Sequence, residues 1–218
     1  MTKKILMVTT NFSDINEEIK TGVTIEEFAV PFLTFTASGY EVIVASPNGG
    51  KSPIDENSLS CSNPMEWDDA AKFLRNTVKL LDVDYSRFDA IFIVGGHGTM
   101  FDLVNNETLN YVVSEMYKNK KIIAAICHGV VGLIGATDAN GESILKNKHI
   151  TAFTNKEEHI IKMQEFMPFS LEDKIKELGA IFIADKPWSE HVEISCNFVT
   201  GQNQQSSLLA AEAVMSLL

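Results

Sequence analysis

A cysteine followed at once by a histidine is the part of this sequence best suited to chemistry. Cys127 ends the small and apolar run 121–126 and is followed by His128 and Gly129. The frame Ala125-x-Cys127-x-Gly129 has the shape of a nucleophile elbow, in which small neighbours let the chain bend and lift the nucleophile off a strand. If a helix begins at His128, its free backbone N–H groups favour thiolate over thiol. We therefore predict a reactive thiol here rather than an inert core cysteine.

A glycine-rich turn follows another apolar run, and it is a second candidate part of the site. Gly95-Gly96-His97-Gly98 comes directly after Ala90–Val94. Glycine permits a tight turn with positive φ, and the exposed N–H groups of such a turn can form an oxyanion hole facing the thiol. The two roles are compatible. The turn is not a Walker A loop, because no Gly-Lys-Ser/Thr follows it.

Glu27 has two competing interpretations. Thr24-Ile-Glu-Glu27 fits a capping box, in which Glu27 folds back on the first turn of its own helix. Alternatively, a carboxylate held near a thiolate has a raised pKa, because of burial and like charge, and can serve as a general acid or base.

His128 needs an acceptor to orient its ring if it is to act on the neighbouring sulfur. Glu157 and Glu158 are the candidates, since they follow a possible strand end at Phe153. The alternative for these two glutamates is a place in the first turn of a helix, where the dipole favours acidic side chains. In that case His128 only shapes the electrostatic field around the thiol.

The remaining cysteines and histidines carry no comparable signal. Cys61 lies in a polar loop and Cys196 beside a predicted hairpin turn, so we expect no catalytic role for either. His149, His159 and His191 lack metal-ligand spacing, and the sequence predicts neither a metal site nor a cofactor.

Bulk properties narrow the class of protein. A chain of 218 residues with 45% hydrophobic and 22% charged residues suits one sizeable globular domain, predicted over residues 1–218. The net charge of −11 argues against nucleic acid and anionic lipid as partners. The apolar runs are too short to span a bilayer, and the N-terminus reads as a first strand rather than a signal peptide. Three unevenly spaced cysteines favour free thiols and a cytoplasmic location.

Strand and helix patterns alternate along the chain. The predicted strands are Lys4–Thr10, Glu41–Ala45, Ala90–Val94, Lys121–Ile126, His149–Phe153 and Ala180–Ala184, with a hairpin at Val192–Ser195 and Phe198–Thr200. The predicted helices are Thr24–Ser38, Asp68–Leu81, Asn106–Lys118, Ser170–Leu178 and Gln204–Leu218. This order predicts an α/β fold with a mostly parallel, flavodoxin-like sheet flanked by helices on both faces and small inserted loops. Ligands then bind at the carboxyl ends of the strands, where the turns after Val94 and Ile126 both lie.

Together these segments resemble the ThiJ/PfpI superfamily, which has a class I glutamine-amidotransferase-like fold. Within it the chain is similar to the heat-shock chaperone branch, whose members also act as glutathione-independent glyoxalases (glyoxalase III). The matching stretches cover nearly the whole chain in order: 21–32, 39–50, 53–55, 95–103, 125–129, 151–158 and 199–203.

The resemblance implies roles for the matching residues. Cys127 is the family's nucleophile, His128 and Glu158 complete a triad with it, and Glu27 is the glutamate that hydrogen-bonds the thiol. Backbone N–H groups of Gly96 and His128 are implied for the oxyanion hole. The resemblance also places His97 and Gly129 in the oxyanion or substrate-binding part of the site.

The sequence departs from the pattern at one place next to the nucleophile. Val130 and Val131 stand where many relatives have proline and a small residue, so we expect a different pocket wall here. The neighbouring Glu157 is an alternative to Glu158 as the acidic member of the triad.

The leading hypothesis is a cofactor-free conversion of methylglyoxal, a 2-oxoaldehyde, to lactate through a hemithioacetal on Cys127. The alternatives are a deglycase that reverses early glycation adducts and a holding chaperone for unfolded-protein clients with a redox-sensing thiol. A cysteine peptidase is a weaker alternative. By resemblance we also expect a homodimer.

Overall fold

The computed structural model describes residues 2–60 and 63–218, so Cys61 lies outside the described residues. Seven strands form one sheet in the order β3-β2-β1-β4-β5-β9-β8, and all neighbours in it are parallel except β8 and β9. The strands are β1 Lys4–Val8, β2 Glu41–Ser46, β3 Val78–Lys79, β4 Ala90–Ile93, β5 Ile122–Ile126, β8 Val192–Ser195 and β9 Phe198–Gly201. A separate parallel pair consists of β6 His149–Ile150 and β7 Ile181–Phe182.

The helices are α1 Ile25–Ala37, α2 Met65–Ala71, α3 Thr99–Asp102, α4 Glu107–Lys118, α5 Asn155–Ile160, α6 Leu171–Glu177 and α7 Ser207–Leu217. Short 3₁₀ helices connect several of these elements, and the one that matters for the site spans Cys127–Leu133. Among the described helices, none is both long and apolar enough to cross a bilayer.

Alternating side chains of the central strands fill two cores, one on each face of the sheet. Ile5 and Met7 of β1 pack with α1 and α7, while Leu6 and Val8 pack on the opposite face with α4. Because both faces are covered, the central strands are apolar along their whole length, as the run Ala90–Ile93 shows. The predicted fold class, a mostly parallel α/β sheet with helices on both faces, is confirmed.

The predicted helix Asp68–Leu81 is wrong in its second half. Helix α2 ends at Ala71, a 3₁₀ turn follows at Lys72–Arg75, and the chain then becomes extended. Thr77 exchanges two backbone hydrogen bonds with Gly50, which brings β3 alongside the end of β2. Pairing with this open sheet edge outweighs the local helical pattern.

Two predicted strands are shorter than expected and lie outside the main sheet. The segments His149–Phe153 and Ala180–Ala184 form only the two-residue strands β6 and β7, which pair with each other. The hairpin of β8 and β9 agrees with the prediction. As a result, β9 and not the segment after residue 149 lies next to β5 and the cysteine.

Candidate active site

The elbow at the end of β5 holds Cys127 in a strained backbone conformation. Ile126 is extended, and Cys127 itself has a φ of 56°, in the left-handed region that non-glycine residues rarely adopt. Gly129 allows this bend, because a Cβ there would lie 2.5 Å from the carbonyl oxygen of Ile93. Such strain persists only where the surrounding packing enforces it, and it is common at functional sites.

A chain of polar contacts leads away from the sulfur through His128. Cys127 Sγ lies 3.4 Å from His128 Nδ1, and His128 Nε2 lies 2.7 Å from Glu158 Oε2. If Glu158 is ionised, it accepts the Nε2–H, so that the neutral imidazole presents its Nδ1 lone pair to the thiol. The structure thus brings Cys127, His128 and Glu158 together, as predicted.

His97 adds a second imidazole to the same carboxylate. His97 Nε2 lies 2.9 Å from Glu158 Oε1, and the His97 and His128 rings pack with centroids 4.1 Å apart. Phe153 packs on His128 with centroids 4.6 Å apart. The sequence placed His97 in the oxyanion or substrate-binding part of the site, whereas its side chain contacts Glu158.

Glu157 has a different task from its neighbour. It forms a capping box with Thr154, and its Oε1 accepts hydrogen bonds from Trp188 N, Gln202 Nε2 and Asn203 Nδ2. Glu157 therefore joins α5 to the loops around residues 188 and 203, and its carboxylate is fully occupied there. Of the two candidate acceptors for His128, the geometry selects Glu158.

Glu27 does not form the capping box that its sequence pattern allows. Thr24 precedes α1 but makes no side-chain cap, and the Glu27 carboxyl is completely buried. Neither of its oxygens makes a hydrogen bond of regular geometry, although Cys127 and the Gly95 N–H are close enough to lower its pKa. Burying a carboxyl group without regular hydrogen-bond partners destabilises the folded protein, and such a group therefore indicates a catalytic role.

Gly95 is the residue that leaves room for this carboxyl. A Cβ at position 95 would lie 2.1 Å from Glu27 Oε2 and 2.9 Å from Cys127 Cβ. Gly96 meets a different constraint, since its φ is 109° and a Cβ would lie 2.2 Å from the Gly22 carbonyl oxygen. The sequence indicated a glycine turn at this place but not that the absence of a side chain at Gly95 lets the acid lie beside the thiol.

Burial dominates the electrostatics of the Glu27–Cys127 pair. Desolvation raises the pKa of Glu27 to about 8, and desolvation together with the Glu27 charge raises the pKa of Cys127 well above its usual range. The backbone N–H of His128 acts in the opposite direction but does not overcome this. The expectation of a resting thiolate is therefore wrong, and the pair holds at least one proton at neutral pH.

The electrostatics of the His128–Glu158 pair allow the His128 ring to accept a proton. Desolvation and the proximity of His97 lower the pKa of His128, so that its ring is neutral near pH 7. Desolvation opposes ionisation of Glu158, but its interactions with His128 and His97 outweigh this and hold its pKa well below its usual range. A neutral imidazole oriented by a carboxylate is the arrangement a general base requires.

Cys196 lies apart from this site. It is exposed, at the turn of the β8–β9 hairpin, with Lys148 Nζ 4.0 Å from its sulfur. The described residues that line the surface around it, such as Tyr117 and Asp138, do not belong to the site.

The chain is similar in sequence to two yeast proteins over nearly its whole length. The chain is 32% identical over 222 residues to the glutathione-independent glyoxalase HSP31 of Saccharomyces cerevisiae, covering 94% of this chain and 93% of that protein. It is 32% identical to the glutathione-independent glyoxalase hsp3102 of Schizosaccharomyces pombe, covering 91% of this chain and 89% of that protein.

Two solved structures are similar over nearly the whole chain. Glyoxalase III of Candida albicans matches with a TM-score of 0.91 and 28% identity, covering 98% of this chain and 96% of that one. The Rapid Encystment Protein of Francisella tularensis matches with a TM-score of 0.95 and 35% identity over the full length of both chains. The DJ-1/PfpI family model matches residues 18–216. With that match, this sequence identity and this fold, the chain belongs to the DJ-1/PfpI family.

Proposed function

We propose that this protein is a glutathione-independent glyoxalase that converts methylglyoxal to lactate through a hemithioacetal on Cys127. The observation that carries the proposal is the convergence of a thiol, an oriented imidazole and a buried carboxyl group at one strand end. The names of relatives about 30% identical over nearly the whole chain support the same reaction.

The burial of the thiol favours a small substrate. Cys127 is 3% exposed and His128 is 1% exposed, so a three-carbon aldehyde fits this approach far better than a peptide bond or a glycated protein side chain does. This supports the glyoxalase over the deglycase and peptidase alternatives, both of which bring a macromolecule to the sulfur.

The first step is addition of the thiol to the aldehyde. His128 Nδ1 accepts the proton as Cys127 Sγ bonds to the aldehyde carbon, and the protonated imidazole then gives that proton to the new alkoxide oxygen. Glu158 stabilises the cationic ring between these transfers. The product is a hemithioacetal, and no charge is left on the sulfur.

The second step moves a proton between the two carbons of the adduct. Ionised Glu27 takes the proton from the former aldehyde carbon, which gives an enediolate, and returns that proton to the neighbouring carbon. The hydroxyl proton on the former aldehyde oxygen moves to the neighbouring oxygen, so that the result is a thioester of lactate on Cys127. A base with a pKa of about 8 works near its optimum at physiological pH.

The last step is hydrolysis of the thioester. Water attacks the carbonyl carbon, the C–S bond breaks, and the thiol and lactate are released. We assign backbone N–H groups of Gly96 and His128 to the oxyanion in this step, and the effect of the His128 N–H on the Cys127 pKa supports its part. The role of Gly129 as a further donor stays a prediction.

The setting of the enzyme is also inferred. The free thiols Cys127 and Cys196 support a reducing, cytoplasmic compartment. A homodimer, and binding of unfolded-protein clients, stay predictions from the family resemblance.

The test is lactate formation from methylglyoxal in the absence of glutathione. We expect turnover by the wild-type protein and by Cys196→Ala, which removes the other described cysteine, and a loss of more than about a thousandfold in Cys127→Ala, which lacks the nucleophile. Turnover by Cys127→Ala at the wild-type rate would exclude this mechanism. Repair of glycated protein after free aldehyde has been removed would instead favour the deglycase.

A further inference from the structure

Two imidazoles and one carboxylate converge behind the catalytic cysteine. The ligand atoms of His97, His128 and Glu158 all lie within 4.8 Å of one another. Both Nε2 atoms point to the same carboxylate, at 2.9 Å and 2.7 Å. Two histidines and a glutamate are a donor set found in zinc enzymes, where a water or substrate takes the fourth position.

We propose that His97, His128 and Glu158 form a binding site for a divalent transition-metal ion, zinc by preference, and that occupation of this site inhibits the enzyme. No signal in the sequence indicated it, because the three residues come from separate segments. The inhibition rests on the proposed glyoxalase function, whereas the binding does not.

To admit the ion, the two nitrogen–oxygen contacts must open, and the two Nε2 atoms, which lie within 4.8 Å of each other, must close to a similar separation. Zinc bonds of about 2.0–2.1 Å with tetrahedral angles separate two ligand atoms by about 3.3 Å. Each nitrogen–oxygen contact must therefore open by roughly half an ångström. Glu158 also lines a cavity of about 190 Å³ with Phe153 and Met167, into which its carboxylate can shift.

Two of the ligands can be reached from solvent. The side chains of His97 and Glu158 are 14% and 12% exposed, which leaves a route from solvent. Cys127 is excluded as a ligand because its sulfur faces Nδ1, the other nitrogen of His128.

Metal at Nε2 removes the means of activating the thiol. The single proton of the neutral His128 ring moves from Nε2 to Nδ1 by way of solvent, and the ring stays neutral. His128 can then donate to Cys127 but cannot accept the thiol proton. Proton transfer between sulfur, imidazole and alkoxide stops, so turnover stops with it.

Binding is tested first on Cys127→Ala, so that the result does not depend on turnover. Calorimetric titration with zinc chloride is expected to give one ion per chain, with affinity lower by more than about tenfold in Cys127→Ala/His97→Asn, since even indirect ligand partners contribute 10–100-fold. His159→Asn, in the same background, is the matched control, because His159 adjoins Glu158 in sequence but hydrogen-bonds Asn155. Equal affinity with and without His97 would overturn the site.

Cobalt and activity separate the remaining outcomes. Cobalt(II) bound to the wild-type protein should show tetrahedral d–d absorption without a thiolate-to-cobalt charge-transfer band, and such a band would contradict the assignment by placing Cys127 on the metal. Zinc should inhibit lactate formation by the wild-type protein. At the same zinc concentration, His97→Asn should lose a smaller fraction of its own activity. If the protein binds zinc but the metal-free protein forms no lactate, only the proposed function is contradicted. If lactate forms and zinc does not slow it, the proposed inhibition is contradicted.

Discussion

At the scale of the residue, Glu27 and Glu157 show how one sequence pattern leads to two structures. Each is the fourth residue of a Thr-x-x-Glu segment, beginning at Thr24 and at Thr154. Only the second segment closes a capping box, while Glu27 turns inward to the thiol. The pattern alone cannot distinguish them, because the choice depends on the space that Gly95 leaves beside Cys127.

Glu27 should make stability fall as pH rises. Its pKa is about 8 in the folded protein and near 4.5 when exposed, so between these values the folded state binds more protons than the unfolded one. Its stabilisation is therefore present below pH 4.5 and lost as pH rises through 8. We expect Glu27→Gln, which stays neutral, to unfold at a higher temperature than wild type at pH 9 and at a similar temperature at pH 4.5.

Thermal unfolding followed by circular dichroism across this pH range checks the prediction. Glu177→Gln is a suitable control, because this exposed glutamate of α6 is paired with Lys174 alone among the described residues. A Glu27→Gln protein less stable than wild type at both pH values would contradict the burial of an unpartnered acid.

At the scale of the element, the elbow could be predicted from local sequence and its chemistry could not. The small residues around Cys127 predicted a sharp turn, and the structure has one, as a 3₁₀ helix. The raised pKa of Cys127 comes instead from burial and from Glu27, a hundred residues earlier in the chain. Similarly, the predicted helix Asp68–Leu81 ends early because β2 offers an unpaired edge.

The Glu157 contacts hold α5, and with it Glu158, against the rest of the site. We expect Glu157→Gln to lower the free energy of unfolding by about 1–3 kcal/mol, since an amide replaces one acceptor oxygen and leaves buried donors unpaired. Turnover should fall as well, because Glu158 is then no longer held in hydrogen-bond contact with His128. Urea unfolding measures the first effect, and activity at saturating substrate measures the second.

The same surface control, Glu177→Gln, should change the free energy of unfolding by less than about 1 kcal/mol, as expected for an exposed ion pair. If Glu157→Gln changed the free energy of unfolding as little as this control does, the Glu157 carboxylate would not be what holds α5 to the two loops.

At the scale of the whole molecule, the parallel sheet assembles the site from distant segments. The carboxyl ends of β4 and β5 are adjacent, so the turn with His97 and the elbow with Cys127 meet. The predicted parallel sheet places both turns at the same edge, while the adjacency of β4 and β5 comes from the structure. The contact of Glu158 with both histidines does not follow from the predicted sheet, since it depends on how α5 packs after a separate two-stranded sheet.

The central claim is that Cys127 binds the aldehyde and Glu27 then moves the proton. The most direct test is NMR of Glu27→Gln mixed with methylglyoxal isotopically labelled at its aldehyde carbon. This protein and the Cys127→Ala protein also carry Cys61→Ala and Cys196→Ala, because any other accessible thiol adds to the aldehyde as well. We predict a hemithioacetal signal from the labelled carbon, with no lactate, and neither signal in Cys127→Ala. Lactate formed by Glu27→Gln at the wild-type rate, or a hemithioacetal signal that persists in Cys127→Ala, would contradict the account.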